Sequence, residues 1–173
     1  TPEFDDSGWG RGKPPIGIGS WRHRRTTVKN SSVWGAGEFL LMRTSFELDA
    51  IDCESYRLSI LARQGFDVYL NGHKIHTYIW WKDEPYYRAI MLTENETKFL
   101  KQGVNVLAAY ANVHYDGQTA EPYGSIDLFI EGITPEGSQQ LTRALERVFS
   151  AEDRAVADGA SNAGYHYMGS AKI

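Results

Sequence analysis

Aromatic and charged side chains are concentrated in one short stretch of this 173-residue chain. The stretch contains Trp80, Trp81, Lys82, Asp83, Glu84, Tyr86 and Tyr87. Aromatic faces stack on the apolar faces of sugar rings, and charged groups hydrogen-bond the ring hydroxyls. The combination predicts a carbohydrate-binding site. The alternative is a packed strand and loop, because Trp80 and Trp81 would point to opposite faces of a strand and one of them would enter the core.

A polar loop further along the chain is a second candidate for sugar binding. It contains His114, Tyr115 and Asp116, and Tyr123 follows shortly after it. Loops at the ends of a rigid scaffold commonly carry function. His114 and Asp116 could hydrogen-bond a sugar on which Tyr115 stacks, and the alternative is an ordinary solvated loop.

A compact basic cluster is a third candidate, in this case for an acidic glycan. It consists of Trp21, Arg22, Arg24 and Arg25, with His23 among them. Arginine pairs in a bidentate manner with carboxylate and sulfate groups. An ordinary charged loop is the alternative. The net charge of −4 and the lack of further basic clusters argue against a nucleic-acid partner.

Composition excludes several other classes of protein. Hydrophobic residues make up 42% and charged residues 23% of the chain, values typical of a globular protein. No apolar run is long enough to span a membrane, and Cys53, the single cysteine, predicts a packed thiol without a disulfide. Asp5, Asp6, Asp49 and Asp52 could offer oxygen ligands to a structural calcium ion, but they follow no calcium-loop pattern. We therefore predict no metal site and no cofactor.

Short alternating segments predict the strands that must position these side chains. The predicted strands are Phe39–Leu48, Tyr56–Ala62, Phe66–Leu70, His73–Tyr78, Arg88–Leu92, Val104–Asn112 and Ser125–Glu131. Asn71 and Gly72 predict a two-residue hairpin turn between two of them. Residues 1–37 predict a loop, with one or two short strands around Trp34 at most. Tyr56, Tyr69 and Phe129 are interpreted as structural aromatics.

The period changes after Gly132, where Thr134 and Pro135 predict the start of a helix. About seven strands without alternating helices predict an all-β protein, an antiparallel β-sandwich. We expect a jelly-roll order, although the spacing of the strands does not itself determine their order. We expect the sandwich to span residues 1–132. Residues 133–173 then form a helical or irregular tail, or a fragment of an adjoining domain.

Several motifs in the sandwich resemble one known family. They are Phe4–Trp9 followed by Pro14–Gly17, Val68–His73, Gly103–Ala108 and Ser125–Leu128. In this order they resemble the galactose-binding-like jelly rolls attached to glycoside hydrolases, including the non-catalytic sandwich of the β-galactosidase and β-glucuronidase family. The resemblance covers residues 4–132. It implies an accessory module of a secreted or periplasmic carbohydrate-active enzyme.

The tail carries a second resemblance, over Asn162–Ala171. This segment is similar to the block with the catalytic histidine in carbohydrate acetylesterases of the SGNH type, including the sialate O-acetylesterase-like group. The resemblance implies that His166 is a general base, although Ala163 stands where the pattern has aspartate. No Gly-Asp-Ser nucleophile block is present in this sequence.

Three functions follow from the sequence. The first is a non-catalytic module that binds polysaccharide or oligosaccharide beside a catalytic domain of the same polypeptide, with no nucleic-acid or membrane partner. The second is a fragment of a carbohydrate O-acetylesterase that contributes His166. The third is a scaffold or interaction domain without a ligand.

Overall fold

Two β-sheets stacked face to face form the body of the protein. The computed structural model describes residues 3–34, 39–79, 85–112, 123–140 and 143. The strands are β1 (Ile16–Ile18), β2 (Ser20–His23), β3 (Thr26–Lys29), β4 (Ser32–Val33), β5 (Phe39–Leu48), β6 (Ser55–Ala62), β7 (Phe66–Leu70), β8 (His73–Tyr78), β9 (Arg88–Met91), β10 (Gly103–Asn112) and β11 (Gly124–Ile133). A short helix, α1 (Glu94–Thr97), precedes β10, and residues 135–140 are helical.

Strand pairing builds one larger and one smaller sheet. The first has the order β4-β1-β11-β6-β9, and the second has the order β5-β10-β7-β8. Strands β2 and β3 form a separate two-stranded ribbon. Apart from the parallel pair β1–β4, the strand pairs are antiparallel. The predicted all-β sandwich is therefore confirmed.

The core lies between the two sheets because every second side chain of the central strands is apolar. Leu58 and Ile60 of β6 are fully buried, as is Val68 of β7. Leu107 of β10 and Ile126 of β11 belong to the same cluster. The strands of both sheets therefore depend on one shared core.

The predicted Asn71–Gly72 hairpin is present between β7 and β8. Both residues have positive φ, 50° for Asn71 and 87° for Gly72, as the tight turn requires. The Asn71 side chain also donates to Asn105 Oδ1 (2.8 Å) and accepts from the Val106 amide (2.8 Å). The turn is thereby fixed to β10, so we interpret both asparagines as structural.

The prediction for the first 37 residues is wrong. Instead of a loop with one or two strands, this part of the chain contains β1 to β4. These strands are two to four residues long, so their alternation is too short to recognise. Strand β1 is stabilised instead by pairing with β11, which lies far along the chain.

Two helix starts are capped by threonine side chains, and the second confirms the helix predicted from Thr134 and Pro135. Thr93 caps α1 in a reciprocal arrangement with the Glu96 side chain. Thr134 Oγ1 accepts from the Gly137 amide (3.1 Å) at the start of the second helix. The remainder of the predicted tail, including His166, lies outside the described residues.

Candidate functional site

The outward face of the larger sheet brings together aromatic and charged side chains from three strands. Leu58 and Ile60 of β6 point to the core, so the alternate residues of β6 and its neighbours point outward. We call the following set the outer patch: Arg57, Ser59, Tyr87, Ala89, Met91, Asp127, Phe129 and Glu131. Tyr87 immediately precedes β9, and the others lie on β6, β9 and β11.

Two aromatic rings form the exposed part of the outer patch. Tyr87 is 37% exposed and Phe129 is 41% exposed, and their ring centroids lie 5.6 Å apart at an angle of 56°. The Tyr87 hydroxyl donates to Asp127 Oδ2, which holds the ring across the strands. Burial and this hydrogen bond to a carboxylate raise the pKa of Tyr87 above its ordinary value. Tyr87 therefore stays a neutral donor in this position.

A hydrogen-bonded ion pair borders the rings. Arg57 Nε donates to Glu131 Oε2 (2.7 Å), and Ser59 Oγ donates to the same oxygen (2.6 Å). Burial alone would raise the pKa of Glu131, but the hydrogen bonds from Arg57 and Ser59 outweigh burial and lower it. Glu131 is therefore an ionised acceptor at neutral pH.

Small side chains lie between the pair of aromatic rings and the Arg57–Glu131 ion pair. The register places Ser59 directly between Ala89 and Phe129, so the middle of the patch has less bulk than its borders. Three strands and three side-chain rows cover about 10 by 13 Å, which accommodates a sugar residue. The patch thus offers ring faces and two carboxylates around Ser59, whose buried hydroxyl already donates to Glu131. Ring faces and carboxylates are groups that sugar binding requires.

The structure describes only part of the predicted aromatic stretch. Tyr86 is 46% exposed and Tyr87 belongs to the outer patch. The other predicted residues of the two sugar-binding segments lie outside the described residues: Trp80, Trp81, Lys82, Asp83, Glu84, His114, Tyr115 and Asp116. Tyr123 is described, and it stacks under the guanidinium of Arg63, 4.0 Å from its ring centroid. The Arg63 guanidinium therefore covers one face of the Tyr123 ring, and that face cannot stack on a sugar.

The acidic-glycan cluster needs a correction at Trp21. Its side chain is 1% exposed, so the indole cannot stack on a glycan. Alternation along β2 turns Trp21 inward, whereas Arg22, Arg24 and Arg25 are exposed on the ribbon. Arg24 has a φ of 52° in the turn between β2 and β3. The three arginines remain accessible without an aromatic partner from Trp21.

Of the eight residues of the outer patch, sequence reasoning named only Tyr87 as a site residue. It missed the charged and aromatic members Arg57, Asp127, Phe129 and Glu131, and the smaller or apolar members Ser59, Ala89 and Met91. The interpretation of Phe129 as a core aromatic is wrong in its placement, since the ring is 41% exposed on the outward face. A signal was present, because alternation along the last strand places Phe129 with Asp127 and Glu131, opposite the apolar residues. An aromatic residue on the polar side of a strand is the feature that could have identified the site.

The outward face of the smaller sheet provides a comparison. Phe39 and Leu41 of β5 are exposed, and Phe39 stacks on Tyr110 of β10 with ring centroids 5.3 Å apart. The Tyr110 hydroxyl is the one polar group among these three side chains, and none of the three carries a carboxylate or an amide. A sugar placed there would therefore gain fewer hydrogen-bond partners from them than from the outer patch, which contains Asp127 and Glu131.

The candidate calcium ligands do not converge in the described part of the chain. Asp6 pairs with Arg43 (2.8 Å), and Asp5 accepts from the Ser7 amide (3.0 Å). Among the described residues, no group of three His, Cys, Asp or Glu side chains is placed to hold a metal ion. The helices of the described segments include none long and apolar enough to cross a membrane.

No family model matches this sequence, and no curated protein matches it. Solved structures with similar parts include the α-L-rhamnosidase of Aspergillus terreus, at 18% identity and a TM-score of 0.43 over 57% of this chain. The α-L-rhamnosidase of Dictyoglumus thermophilum is 14% identical, with a TM-score of 0.43 over 56%. That of Streptomyces avermitilis, complexed with L-rhamnose, is 23% identical, with a TM-score of 0.40 over 76%. The matches span 13%, 11% and 13% of those proteins, so each involves a small segment of a longer chain.

Proposed function

We propose that this chain is a non-catalytic carbohydrate-binding module of a larger carbohydrate-active enzyme, and that the outer patch holds the sugar. One observation carries the proposal: the exposed rings of Tyr87 and Phe129 lie together beside the carboxylate of Asp127. A sugar ring has an apolar face and a rim of hydroxyls, so it needs both kinds of group in one place.

The hydrogen bonds within the patch support a prepared site. Tyr87 is held by Asp127, and Glu131 is held by Arg57 and Ser59, so these side chains lose little conformational freedom when a ligand binds. Each carboxylate has a second oxygen that can accept a sugar hydroxyl. One stacked ring and a few hydrogen bonds correspond to a Kd on the order of micromolar to millimolar.

The partners and location of the module belong to the same proposal. Binding of polysaccharide or oligosaccharide would take place without a cofactor, next to a catalytic domain of the same polypeptide, in a secreted or periplasmic enzyme. The galactose-binding-like resemblance of residues 4–132 supports this context. The proposal also keeps residues 1–132 as the binding module and residues 133–173 as the tail.

Isothermal titration calorimetry of the full chain against neutral, acidic and acetylated polysaccharides tests the proposal. We expect saturable binding to at least one class, weakened at least about tenfold in Tyr87→Ala and in Phe129→Ala. Phe39→Ala is the matched control, since it removes an exposed ring from the other sheet and should leave binding unchanged. Folding of each variant is checked by circular dichroism.

Two results would contradict the proposal. Binding that is lost in Phe39→Ala but kept in Phe129→Ala would place the ligand on the smaller sheet. No binding by a cooperatively folded protein would favour a ligand-free scaffold. The esterase alternative is tested separately with an acetylated sugar as substrate and the variant His166→Ala.

A further inference from the structure

The charges on the outer patch limit which glycans it can hold. We infer that the patch selects uncharged sugars and rejects uronates and sulfated glycans, an inference that rests on the proposed function. The ionisable side chains of the patch are two carboxylates, Asp127 and Glu131, one guanidinium, Arg57, and the phenol of Tyr87. With the phenol neutral, these groups sum to one negative charge.

The single guanidinium of the patch is already paired. Arg57 Nε lies 2.7 Å from Glu131 Oε2, and this contact compensates its charge. An anionic sugar that approached Arg57 would compete with Glu131 for the guanidinium. The same sugar would be repelled by the carboxylate of Asp127. Separating a carboxylate from its hydrogen-bonded partner leaves a half-buried charge without compensation, which is costly.

A second arginine, Arg63, lies beyond the end of β6 but does not change the net charge that the patch presents to a ligand. Arg63 follows β6 with the same alternation as Arg57, but it is 5% exposed. Its guanidinium lies over the Tyr123 ring and donates to the Tyr123 hydroxyl (2.9 Å). Because it is buried, Arg63 is not available to a ligand. Arg22, Arg24 and Arg25 lie on β2 and in the β2–β3 turn, and none of them belongs to the outer patch as defined above.

Neutral and acidic sugars therefore meet different surfaces. Hydroxyl groups of a neutral sugar donate to the oxygens of Asp127 and Glu131, and such bonds to charged acceptors are stronger than neutral ones. A uronate adds a negative charge a few ångströms from both carboxylates. At a partly exposed site the repulsion corresponds to about tenfold weaker binding or more.

Oligogalacturonate and its methyl ester form the sharpest pair of probes, because they differ in charge while sharing the sugar chain. Neutral galacto-, xylo- and cello-oligosaccharides complete the panel. We expect the full chain to bind at least one uncharged probe and to bind oligogalacturonate at least about tenfold more weakly than its ester. Added NaCl should strengthen any binding of oligogalacturonate, because salt screens repulsion.

The variant Asp127→Asn tests the cause of the selection. Asparagine keeps an acceptor for the Tyr87 hydroxyl and removes the negative charge. The difference in affinity between oligogalacturonate and its methyl ester should therefore become smaller. Asp49→Asn is the control, since Asp49 is exposed next to the end of β5 and should leave the difference unchanged.

The outcomes separate this inference from the proposed function. Equal binding of acid and ester, or acid binding that weakens with salt, would overturn the selection and leave carbohydrate binding in place. Binding to none of these probes, nor to the polysaccharide panel, would overturn both. Selection that persists unchanged in Asp127→Asn would also overturn the inference, because the charge would not be its cause.

Discussion

Glu131 illustrates how a single side chain links the outer patch to stability. Its pKa is lowered below the ordinary value of 4.5 by Arg57 and Ser59, against the effect of burial. A group whose pKa is lower in the folded state stabilises the fold above its unfolded pKa, and this contribution is lost as the pH falls through the folded pKa. The patch and the stability of β11 on β6 therefore respond to acid together.

We predict that Glu131→Gln is less stable than the wild type at pH 7 and that the difference shrinks below about pH 4.5. Glutamine keeps an acceptor for Ser59 but cannot gain the charge. Urea unfolding at a series of pH values between 7 and 3 measures the effect. Glu47→Gln, at an exposed position on β5, serves as the control. A constant difference at all pH values would contradict the prediction.

Asn105 is a buried polar residue whose side chain replaces missing backbone partners. Its Nδ2 donates to the carbonyls of Lys101 (2.7 Å) and Gly103 (3.0 Å), while its Oδ1 accepts from the Lys101 amide (3.0 Å) and from Asn71. We predict that Asn105→Ala lowers the free energy of unfolding by about 2–4 kcal/mol, because several buried groups lose partners.

Thermal and urea unfolding measure this loss. The exposed Asn95→Ala provides the matched control and should change stability by less than about 0.5 kcal/mol. Equal stability of the two variants would mean that water replaces the Asn105 side chain without cost.

At the scale of residues, the sequence reveals the chemistry of the site better than its location. The density of aromatic residues around Tyr87 marks it in the sequence. No such signal marks Asp127 and Phe129, because they join Tyr87 only when β11 and β9 pair with opposite edges of β6. Trp21 shows the opposite error, since a ring next to arginines looked accessible but is enclosed by the fold.

Longer elements were predictable where local chemistry specifies them. The limits Phe39–Leu48 and Phe66–Leu70 match β5 and β7. Gly37 and Asp49 bound the first segment, and a strict alternation marks the second. The Asn71–Gly72 turn was predictable for the same reason. Strands β1 to β4 were not predictable, because segments of two to four residues are too short to show an alternation. Strand β1 also depends on pairing with β11, which is distant in sequence.

The pairing of β1 with β11 depends on the absence of a side chain at Gly17. A Cβ atom built there would lie 2.1 Å from the Gly124 carbonyl oxygen and 2.8 Å from its carbon. We predict that Gly17→Ala costs about 2 kcal/mol or more, because backbone on the neighbouring strand must move. Urea unfolding checks the prediction, and Gly10→Ala is the control since its Cβ meets nothing within 4 Å. A loss no larger than that of Gly10→Ala would contradict it.

At the scale of the whole molecule, the fold class followed from the count and character of the strands. The sheet order did not, because it requires pairings such as Ile16 with Ile126 that no local pattern contains. The same pairings assemble the outer patch from residues near 57, 87 and 129. The residues of the outer patch are far apart in the sequence, so the sequence alone does not show that strand pairing brings them together.

The single core shared by both sheets predicts that they unfold together. Val68 of β7 is fully buried between the sheets, whereas Val104 of β10 is 55% exposed on the outward face. We predict that Val68→Ala lowers the free energy of unfolding by about 2–3 kcal/mol, through lost burial and the cavity that remains. Val104→Ala should stay within about 0.5 kcal/mol of the wild type.

A local and a global probe can follow the same urea titration. In a background in which the other four tryptophans are replaced by phenylalanine, the fluorescence of Trp34 reports on the core next to β4 of the larger sheet, and far-ultraviolet circular dichroism reports on all strands. In Val68→Ala, on the smaller sheet, both signals should shift to lower urea by the same amount, because loss of the shared core exposes both sheets. Separate midpoints for the two signals would mean that the sheets are stabilised independently. In that case the outer patch could remain folded when the smaller sheet does not.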